Sequence, residues 1–416
     1  MEYSTDKSND VTVSKDDIFK TLDSITKEQL RTQGQLKWNL YPDCIGAWVA
    51  ETDYGTSPRV ANALHKAIDT NLLGYMPNGL TDNLKKACAA FQKNNFNWDV
   101  KPENIFLLPD VLTCLHIILD NFIPEKAPVI VLTPAYMPFL TIPLDHDHPI
   151  IEIPAERDEK GIYKINLEKL EEAFKGGAKL LILCNPWNPI GRVLSADELN
   201  NISEVVSRYD GLVFNDEIHS SLVIDSAVQH INYPNVNDVA AHHTITATAA
   251  SKGWNIPGLK SAQVIITNSK LADKYAPIGD KYAKAMPPIG VIAAIAAYTD
   301  DSGWIEAVRE YIFRNALLVE KMLSNVAELE YTKPQGTYLS WIKINNLDEI
   351  VANSDLDFTD CNNSADILRK SIKVAPVAGR ACGKSFDNYI RLNLAMPKPI
   401  LEESINKLID LVKSVH

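Results

Sequence analysis

A lysine that follows a strand-like run is the first group in this sequence whose position suggests chemistry. Residues 244–267 read TITATAASKGWNIPGLKSAQVIIT, in which Lys252 follows a β-branched run and three small residues. A turn rich in Gly, Asn and Pro comes next, then Lys260 and a second strand-like run. Partial desolvation disfavours an ammonium ion and frees the amine to form a Schiff base. The alternative is a surface lysine, which the residue type alone favours.

Two other polar side chains lie where strand-like runs end. Asp216 closes the run GLVFND, and a turn or N-cap aspartate is the alternative role there. Asn188 lies in residues 181–192, LILCNPWNPIGR, a buried strand that enters a loop too rich in proline to be helical. A tight turn is the structural alternative for this loop.

A helix start and a strand arginine offer sites for anions. Residues 110–113, Asp-Val-Leu-Thr, follow a strand-like run and begin a helix, whose exposed N–H groups can bind a phosphate. Many helices bind nothing at this position. Arg391 lies inside the strand-like YIRLNLA, where a guanidinium needs a partner. A bidentate grip on a substrate carboxylate fits its geometry, and a structural salt bridge is the alternative.

The elements that must position these groups alternate between strand and helix. Strands alternating with helices imply a mainly parallel sheet covered by helices. The functional residues should therefore cluster at the carboxyl ends of the strands. The predicted strands are 105–108, 129–132, 150–153, 180–184, 212–214, 244–247 and 264–267, and the predicted helices between them are 111–121, 167–174 and 196–208. Another predicted helix, 58–73, precedes the first strand.

The pattern changes in the last quarter of the chain. A long helix near 304–326 leads to strand-like runs at 338–344 and 389–394 and to a C-terminal helix at 400–415. The N-terminus is polar and acidic, so we expect a flexible arm there and no secretory signal. The predicted domains are the arm at 1–17, a segment at 18–54 that joins the small domain, a large domain at 55–301 and a smaller α+β domain at 302–416.

Composition narrows the class of protein. The chain has 416 residues, 46% of them hydrophobic and 23% charged, which is typical of a globular protein with a substantial core. Its 53 acidic against 41 basic residues disfavour a binder of duplex nucleic acid. The six cysteines are scattered without CxxC pairs, which favours reduced thiols in a cytoplasmic protein. The longest apolar run, 288–298, is too short to span a bilayer, so we expect a soluble protein.

The sequence supports neither a dinucleotide-binding site nor a metal site. No GxGxxG follows any predicted strand, so a dinucleotide-binding fold is poorly supported. The run Asp145-His146-Asp147-His148 lacks further ligands at plausible spacing, so we predict no metal site there. A solvated loop is the expected structure of this run, and His116, His242 and His243 are expected to be packing residues.

Together these motifs resemble the class I/II aminotransferase-like enzymes of fold type I, which use pyridoxal 5′-phosphate (PLP). They run in the order of that family from Trp48 to Met396. Three stretches are more narrowly similar to the cysteine-S-conjugate β-lyases of the MalY/PatB type, which include cystathionine β-lyases: WVAETDY (48–54), NPWNPIGRV (185–193) and NDEIHSSLV (215–223). The chain departs from that branch at residues 51–53, Glu-Thr-Asp in place of Asp-Met-Asp, and in the loop GRACGKSF (379–386).

The resemblance implies a role for each group near the cofactor ring. Lys252 would bind the aldehyde and then remove the α-proton of the substrate, while Asp216 would keep the pyridine nitrogen protonated. Asn188 would meet the phenolic oxygen, and His219 occupies the position where many aminotransferases carry a tyrosine. Tyr136, in TPAYMPF, would stack on the ring, with simple core packing as its alternative.

The resemblance also assigns the phosphate and dimer contacts. The backbone amides of Val111 and Leu112 and the side chain of Lys260 would bind the cofactor phosphate. Tyr75, in GYMPNG, would reach the phosphate from a neighbouring subunit, which implies a homodimer with shared active sites.

The implied reaction is α,β-elimination of cystathionine or another cysteine S-conjugate to pyruvate, ammonia and a thiol. Arg391 would hold the substrate carboxylate, and Asp53 and Tyr338 are the other predicted substrate contacts. The first alternative is an aminotransferase that uses the same residues. The second is a regulatory protein that binds PLP and acts through a partner.

Overall fold

The computed structural model describes residues 15–414. Its α-helices are α1 (Lys15–Asp23), α2 (Lys27–Thr32), α3 (Leu36–Asn39), α4 (Pro58–Asp69), α5 (Leu80–Phe96), α6 (Val111–Asn121), α7 (Ile142–Asp145), α8 (Leu167–Lys175), α9 (Ala196–Arg208), α10 (Asp238–His242), α11 (Ser269–Ala283), α12 (Pro288–Tyr298), α13 (Trp304–Leu323), α14 (Leu347–Asn353), α15 (Ser364–Ile372) and α16 (Lys398–Lys413). Its strands are β1 (Ile45–Gly46), β2 (Ile105–Leu108), β3 (Val129–Thr133), β4 (Ile150–Pro154), β5 (Glu156–Arg157), β6 (Tyr163–Lys164), β7 (Leu180–Cys184), β8 (Leu212–Asp216), β9 (Thr244–Thr248), β10 (Ala262–Ile265), β11 (Leu329–Tyr331), β12 (Leu339–Ile344), β13 (Val374–Ala375), β14 (Val377–Ala378) and β15 (Tyr389–Asn393).

The large sheet has the order β2-β10-β9-β8-β7-β3-β4. The run from β9 to β4 is parallel, whereas β10 is antiparallel to both of its neighbours. The last residues of the central strands are in register, since Cys184 pairs with Asp216 and Asp216 pairs with Ala247. The loops that follow β7, β8 and β9 therefore leave the sheet at one edge.

The central strands are buried on both faces, as their continuous apolar sequences require. In β7, Leu180 and Ile182 point into the apolar cluster that includes α6. Leu181 and Leu183 point into the opposite cluster, which includes α8 and α9. This two-residue alternation fixes which side chains can leave the core at the carboxyl edge.

A second sheet, β11-β12-β15-β14, is antiparallel and contributes β15, the strand that carries Arg391. The chain before the large sheet also contacts this part of the molecule. Ile45 and Gly46 of β1 pair in parallel with Val374 and Ala375 of β13. This pairing brings the segment that follows β1 close to β15.

Local signals explain where most helices begin and end. Ser57 caps α4 by accepting a hydrogen bond from the Val60 amide. This helix was predicted to reach residue 73, but it ends at Asp69, because Asn71 adopts a left-handed backbone conformation (φ 57°). The pattern did not predict α5 or α11, both of which are polar over much of their length. Among the described residues, no helix is both long and apolar enough to cross a membrane.

Candidate active site

The Lys252 side chain enters the site from the loop after β9. It is partly buried, and its Nζ donates a hydrogen bond to the Ala50 carbonyl at 3.0 Å. Burial, reinforced by the positive charge of Arg391, lowers the pKa of Lys252 to about 8. About a tenth of this amine is therefore neutral at pH 7, far more than for an exposed lysine, and the neutral form acts as a nucleophile or a base.

Asp216 closes β8 beside this lysine and is almost completely buried. One carboxylate oxygen accepts a hydrogen bond from the Ile218 amide at 3.0 Å. Burial raises the pKa of Asp216 to about 7, although the Ile218 amide and the Lys252 charge oppose the increase. The buried carboxylate thus lacks a full set of partners, and a cationic ligand nitrogen beside it would stabilise its ionised form.

His219 and Tyr338 form the aromatic side of the site. His219 is 2% exposed, and its ring lies edge-on to Tyr338 with 5.9 Å between the centroids. Burial lowers the pKa of His219 well below its usual value, with the Lys252 charge as the next cause, so the imidazole is neutral. Its Nδ1 has no hydrogen-bond partner among the described residues. The Tyr338 hydroxyl donates to the Ala50 carbonyl at 2.7 Å, the same oxygen that accepts from Lys252.

Arg391 is buried, and no carboxylate of residues 15–414 pairs with it. Its Nη1 donates to Oδ1 of Asn188 at 3.2 Å, and its Nη2 donates to the Trp48 carbonyl at 2.8 Å. Its Nε is buried without a partner among the described residues. A guanidinium held only by neutral oxygen atoms is suited to receive an anion.

The proline-rich loop that carries Asn188 is held by close packing. The Trp187 indole donates to the Pro134 carbonyl at 2.8 Å. Gly191 has a positive φ of 69°, and a Cβ there would lie 2.3 Å from the Cβ of Pro334. Only glycine fits such a position, so this contact explains the glycine of the motif.

A second polar cluster forms at the start of α6. Asp110 caps the helix by accepting from the Thr113 amide at 2.9 Å. The other carboxylate oxygen accepts from Nζ of Lys260 at 3.1 Å. Lys260 thus lies beside the first turn of the helix, where the amides of Val111 and Leu112 have no partner within the helix. The structure joins these predicted phosphate ligands in one place.

The two aromatic residues predicted to contact the cofactor lie in different places: Tyr136 is near the site residues and Tyr75 is on the surface. Tyr136 is partly buried near both Asp216 and Arg391. Burial raises the pKa of its hydroxyl, the Arg391 charge lowers that pKa, and the Asp216 charge raises it. Tyr75 is fully exposed, at 100% relative accessibility, and does not reach the site within its own chain.

The structure places Asp53, a predicted substrate contact, in a buried ion pair. Asp53 is 2% exposed, and one carboxylate oxygen pairs with Nζ of Lys37 at 2.9 Å. The other oxygen accepts from the Trp38 indole at 2.8 Å. Both oxygens are thus engaged in a buried cluster, which favours a structural role for this carboxylate over a substrate contact.

Sequence reasoning also missed several groups around the site. These are the carbonyls of Trp48 and Ala50 and the side chains of Asn255 and Asn393, which hold residues 48–52 in place. Backbone acceptors carry no signature in the sequence. The nearest available signal was the asparagine in YIRLNLA, Asn393, which lies two residues after Arg391 and hence on the same face of a strand.

The site thus brings together a lysine of lowered pKa, a buried carboxylate, a neutral imidazole and an anion-free guanidinium. This set matches the needs of amino-acid chemistry on a bound aldehyde: an amine, an acid for a ring nitrogen and a carboxylate receptor. Lys252, Asp216, Asn188, His219, Tyr338 and Arg391 all lie in this one arrangement.

Comparison with known proteins agrees with the sequence resemblance. The cystathionine beta-lyase of Corynebacterium glutamicum is 30% identical over 383 residues, which cover 92% of this chain and 97% of that protein. The cystathionine beta-lyase PatB of Bacillus subtilis is 28% identical over 393 residues, which cover 92% and 97%. A solved structure from Corynebacterium diphtheriae, provisionally assigned as a PLP-dependent beta-cystathionase, has a TM-score of 0.83 at 34% identity and covers 93% of this chain and 98% of that one.

The predicted fold of type I is confirmed by that structural match. The family model for aminotransferases of class I and II matches residues 42–408, which is most of the chain. The chain therefore belongs to the class I and II aminotransferase family.

Proposed function

We propose that this chain is a PLP-dependent carbon–sulfur β-lyase. It would cleave cystathionine or another cysteine S-conjugate, with one water, to pyruvate, ammonia and a thiol. The observation that carries the proposal is the Lys252 amine, with a pKa of about 8, in the same buried site as the anion-free Arg391 guanidinium. The relatives named cystathionine beta-lyase, similar over nine-tenths of the chain, favour elimination over transamination.

The residues present fit PLP. The site holds a lysine amine with a lowered pKa, a buried carboxylate with one free oxygen, and an imidazole whose Nδ1 has no partner in residues 15–414. Lys252 would bind the aldehyde and Asp216 the pyridine nitrogen. Asn188 and His219 would lie at the phenolic oxygen, and Tyr136 would stack on the ring. Unsatisfied buried polar atoms are rare in proteins, so the orphan nitrogen of His219 itself supports a polar ligand there.

The phosphate would bind at the other end of the site. The first turn of α6 supplies amides and the positive end of the helix dipole, and Lys260 adds a charge beside it. The amides of Val111 and Leu112 would donate to the phosphate oxygens. Tyr75 is exposed in the single chain, which supports a contact with the cofactor phosphate of a neighbouring subunit.

Bound PLP supplies an aldehyde that condenses with amines and a pyridine ring that accepts the electrons of the substrate α-carbon. Arg391 holds the substrate carboxylate, exchanging the neutral oxygen of Asn188 or Trp48 for a charged one. This contact fixes the orientation of the α-carbon in the site. Tyr338 is proposed to line the substrate side, since its hydroxyl shares the Ala50 carbonyl with Lys252.

Lys252 then moves protons at the α-carbon. Its pKa of about 8 lies close to neutral pH, so the amine can take up the α-proton and later pass it to the departing thiolate. Asp216 in its ionised form keeps a positive charge on the ring nitrogen. A thiolate on the β-carbon leaves with the electron pair of the C–S bond and is protonated to the free thiol.

The remaining features of the proposal concern assembly and location. We propose a homodimer with shared active sites, for which the exposed Tyr75 and its exposed neighbours Ile68 and Leu73 are the supporting observation. The six free cysteines, five of them buried, support a reducing cytoplasmic location. The proposed domain limits are an arm at 1–17, which includes residues outside those described, a joining segment at 18–54, a large domain at 55–301 and a small domain at 302–416.

The test compares turnover with and without a keto acid. Purified protein is incubated with L-cystathionine or S-methyl-L-cysteine, and pyruvate, ammonia and thiol are measured, with Lys252→Ala as the background control. The proposal expects all three products in the absence of 2-oxoglutarate. A reaction that requires 2-oxoglutarate, returns glutamate and leaves the thioether intact would identify an aminotransferase. Binding of PLP without either reaction would support a regulatory protein.

A further inference from the structure

Residues 48–52, which we call the carbonyl strap, cross the site with every carbonyl bound by a side chain. The Trp48 carbonyl accepts from Arg391 at 2.8 Å. The Ala50 carbonyl accepts from Lys252 at 3.0 Å and from Tyr338 at 2.7 Å. The strap therefore contacts the cofactor lysine and the substrate arginine through backbone oxygen atoms alone.

Asn393 holds the strap on either side of Ala50. Its Nδ2 donates to the Val49 carbonyl at 2.8 Å and to the Glu51 carbonyl at 2.7 Å. Its Oδ1 accepts from the Ala395 amide at 2.6 Å, and the side chain is 0% exposed. Both amide hydrogens of Asn393 are thus committed to the two peptide groups that flank the Ala50 carbonyl.

Asn255 holds the end of the strap on the lysine loop, three residues after Lys252. Its Oδ1 accepts from the Thr52 amide at 3.0 Å, and its Nδ2 donates to the Thr52 carbonyl at 3.1 Å. Asn393 thus anchors the strap to β15, the strand of Arg391, and Asn255 anchors it to the loop of Lys252.

We propose that Asn393 and Asn255 are positioning residues, which hold the carbonyl strap so that the Ala50 oxygen receives the free amine of Lys252. Neither side chain touches the reacting atoms. Each acts through the strap, which fixes where the amine points when it is not bound to the cofactor. The catalytic value of this contact rests on the proposed function, in which that amine carries the α-proton.

The carbonyl strap raises the pKa of Lys252. A carbonyl that accepts from an ammonium ion stabilises the charged form, so loss of this contact lowers the pKa of the amine. Glu51 on the strap also raises that pKa, so its displacement would act in the same direction. The other charged or titratable groups that face Lys252 lie off the strap: Asp216 and His219 at the end of β8, Arg391 on β15, and Tyr338 before β12.

The test measures the pKa of Lys252 in the full chain freed of cofactor. Reductive methylation with formaldehyde at a series of pH values, read at the Lys252 peptide by mass spectrometry, follows the neutral amine directly. From a starting pKa of about 8, we expect Asn393→Ala to lower the value by roughly 1, the scale of one hydrogen bond to a charged group. Asn255→Ala should lower it in the same direction.

Asn346→Ala is the matched control, because Asn346 is also buried and also donates to a backbone carbonyl, that of Val412 at 2.8 Å. It makes no contact with the strap and should leave the pKa of Lys252 unchanged. If Asn393→Ala does not fold, Asn255→Ala decides the matter, since its side chain is partly exposed in a loop. An unchanged pKa in the folded variants would overturn the proposal.

This measurement is independent of turnover. A lowered pKa in a protein that cleaves no thioether would leave the positioning role standing while the lyase proposal fails. With an active enzyme, the same variants should lower kcat at least tenfold and change KM less, because Asn393 and Asn255 bind the carbonyls on either side of Ala50 and not the Trp48 carbonyl that Arg391 contacts.

Discussion

The Lys252 amine and the Arg391 guanidinium share one short segment of backbone: the amine donates to the Ala50 carbonyl and the guanidinium to the Trp48 carbonyl. Their positive charges oppose each other, and Arg391 is the second cause of the lowered pKa of Lys252 after burial. A substrate carboxylate bound to Arg391 would neutralise that charge and make Lys252 a stronger base. Substrate binding and proton removal are therefore coupled through electrostatics.

Arg391→Lys should test the carboxylate contact. Lysine keeps the charge but lacks the planar fork, so we expect kcat/KM for the thioether to fall about 100-fold or more. Arg391→Leu also removes the charge and should, in addition, raise the pKa of Lys252 in the cofactor-free chain. Steady-state kinetics and the methylation titration measure the two effects. Equal kcat/KM values for the Arg391→Lys variant and the native chain would contradict the proposed substrate contact.

Lys252 should carry the cofactor covalently. We expect the purified protein to be yellow and, after borohydride reduction and peptide mapping, to retain the cofactor mass on Lys252. The lowered pKa supports this choice over Lys260, which pairs with Asp110 at 3.1 Å in an open position. Lys260→Ala is the matched variant and should weaken PLP binding without moving the label. A label on Lys260 would reverse the assignment.

Asp216 should make the cofactor-free chain less stable as pH rises. Its folded pKa of about 7 lies above the ordinary 3.8, so the carboxyl contributes stability that is fully present below pH 3.8 and is lost as pH rises through 7. Asp216→Asn stays neutral at every pH. We therefore expect this variant to be more stable than the native chain at pH 8, by about 1 to 4 kcal/mol, and similar at pH 4.

Urea unfolding at the two pH values measures the difference, with the exposed Asp273→Asn as control. The same Asp216→Asn variant should lose most of its turnover, since an amide cannot keep a ring nitrogen protonated. Equal stability of the native chain and the Asp216→Asn variant at both pH values would contradict the raised pKa of the buried carboxyl. A gain in stability together with a loss of activity is the expected signature of a functional group held in an unfavourable environment.

The order of elements in the large sheet was predictable because its strands have clear apolar runs. The bounds of β2, β7, α6 and α9 agree with the predicted ones, since each is flanked by a strong turn or cap. The direction of β10 was not predictable, because local pattern does not record whether a neighbour is parallel. Helix α11 was missed because it contains Pro277 and a largely polar face, and only tertiary packing stabilises it there.

The candidate site also has a part that the sequence predicts and a part that it does not. Side chains with distinctive chemistry at strand ends, such as Lys252 and Asp216, could be found from their neighbours in sequence. The carbonyl strap could not, because its contacts join residues that lie more than 200 positions apart, as in the pair Ala50 and Lys252. Asp53 was predicted as a substrate contact from its place in a motif, and its partner in the structure is Lys37, on a helix with no recognisable signal.

Tyr75 should complete the site of a partner subunit. We expect Tyr75→Ala chains and Lys252→Ala chains to be nearly inactive alone. In a mixed dimer, one of the two sites would contain neither change, so part of the activity should return. Differently tagged chains, purified as verified heterodimers, allow the measurement. Absence of rescue, or a monomer in sedimentation, would count against shared sites, and Tyr282→Ala, a change at another exposed tyrosine, is the control.

The last prediction separates a structural Asp53 from a substrate contact. Asp53→Asn leaves the Lys37 ammonium buried without a charged partner, and such losses cost about 3 to 5 kcal/mol. Lys37→Met removes the other partner and should destabilise the chain comparably, while the double variant should be less unstable than the sum of the two. Urea unfolding measures these changes, and kinetics at low temperature, where the variants remain folded, should give a nearly native KM. If Asp53→Asn instead raised KM tenfold without loss of stability, the carboxylate would face the substrate and the buried pair would be of secondary importance.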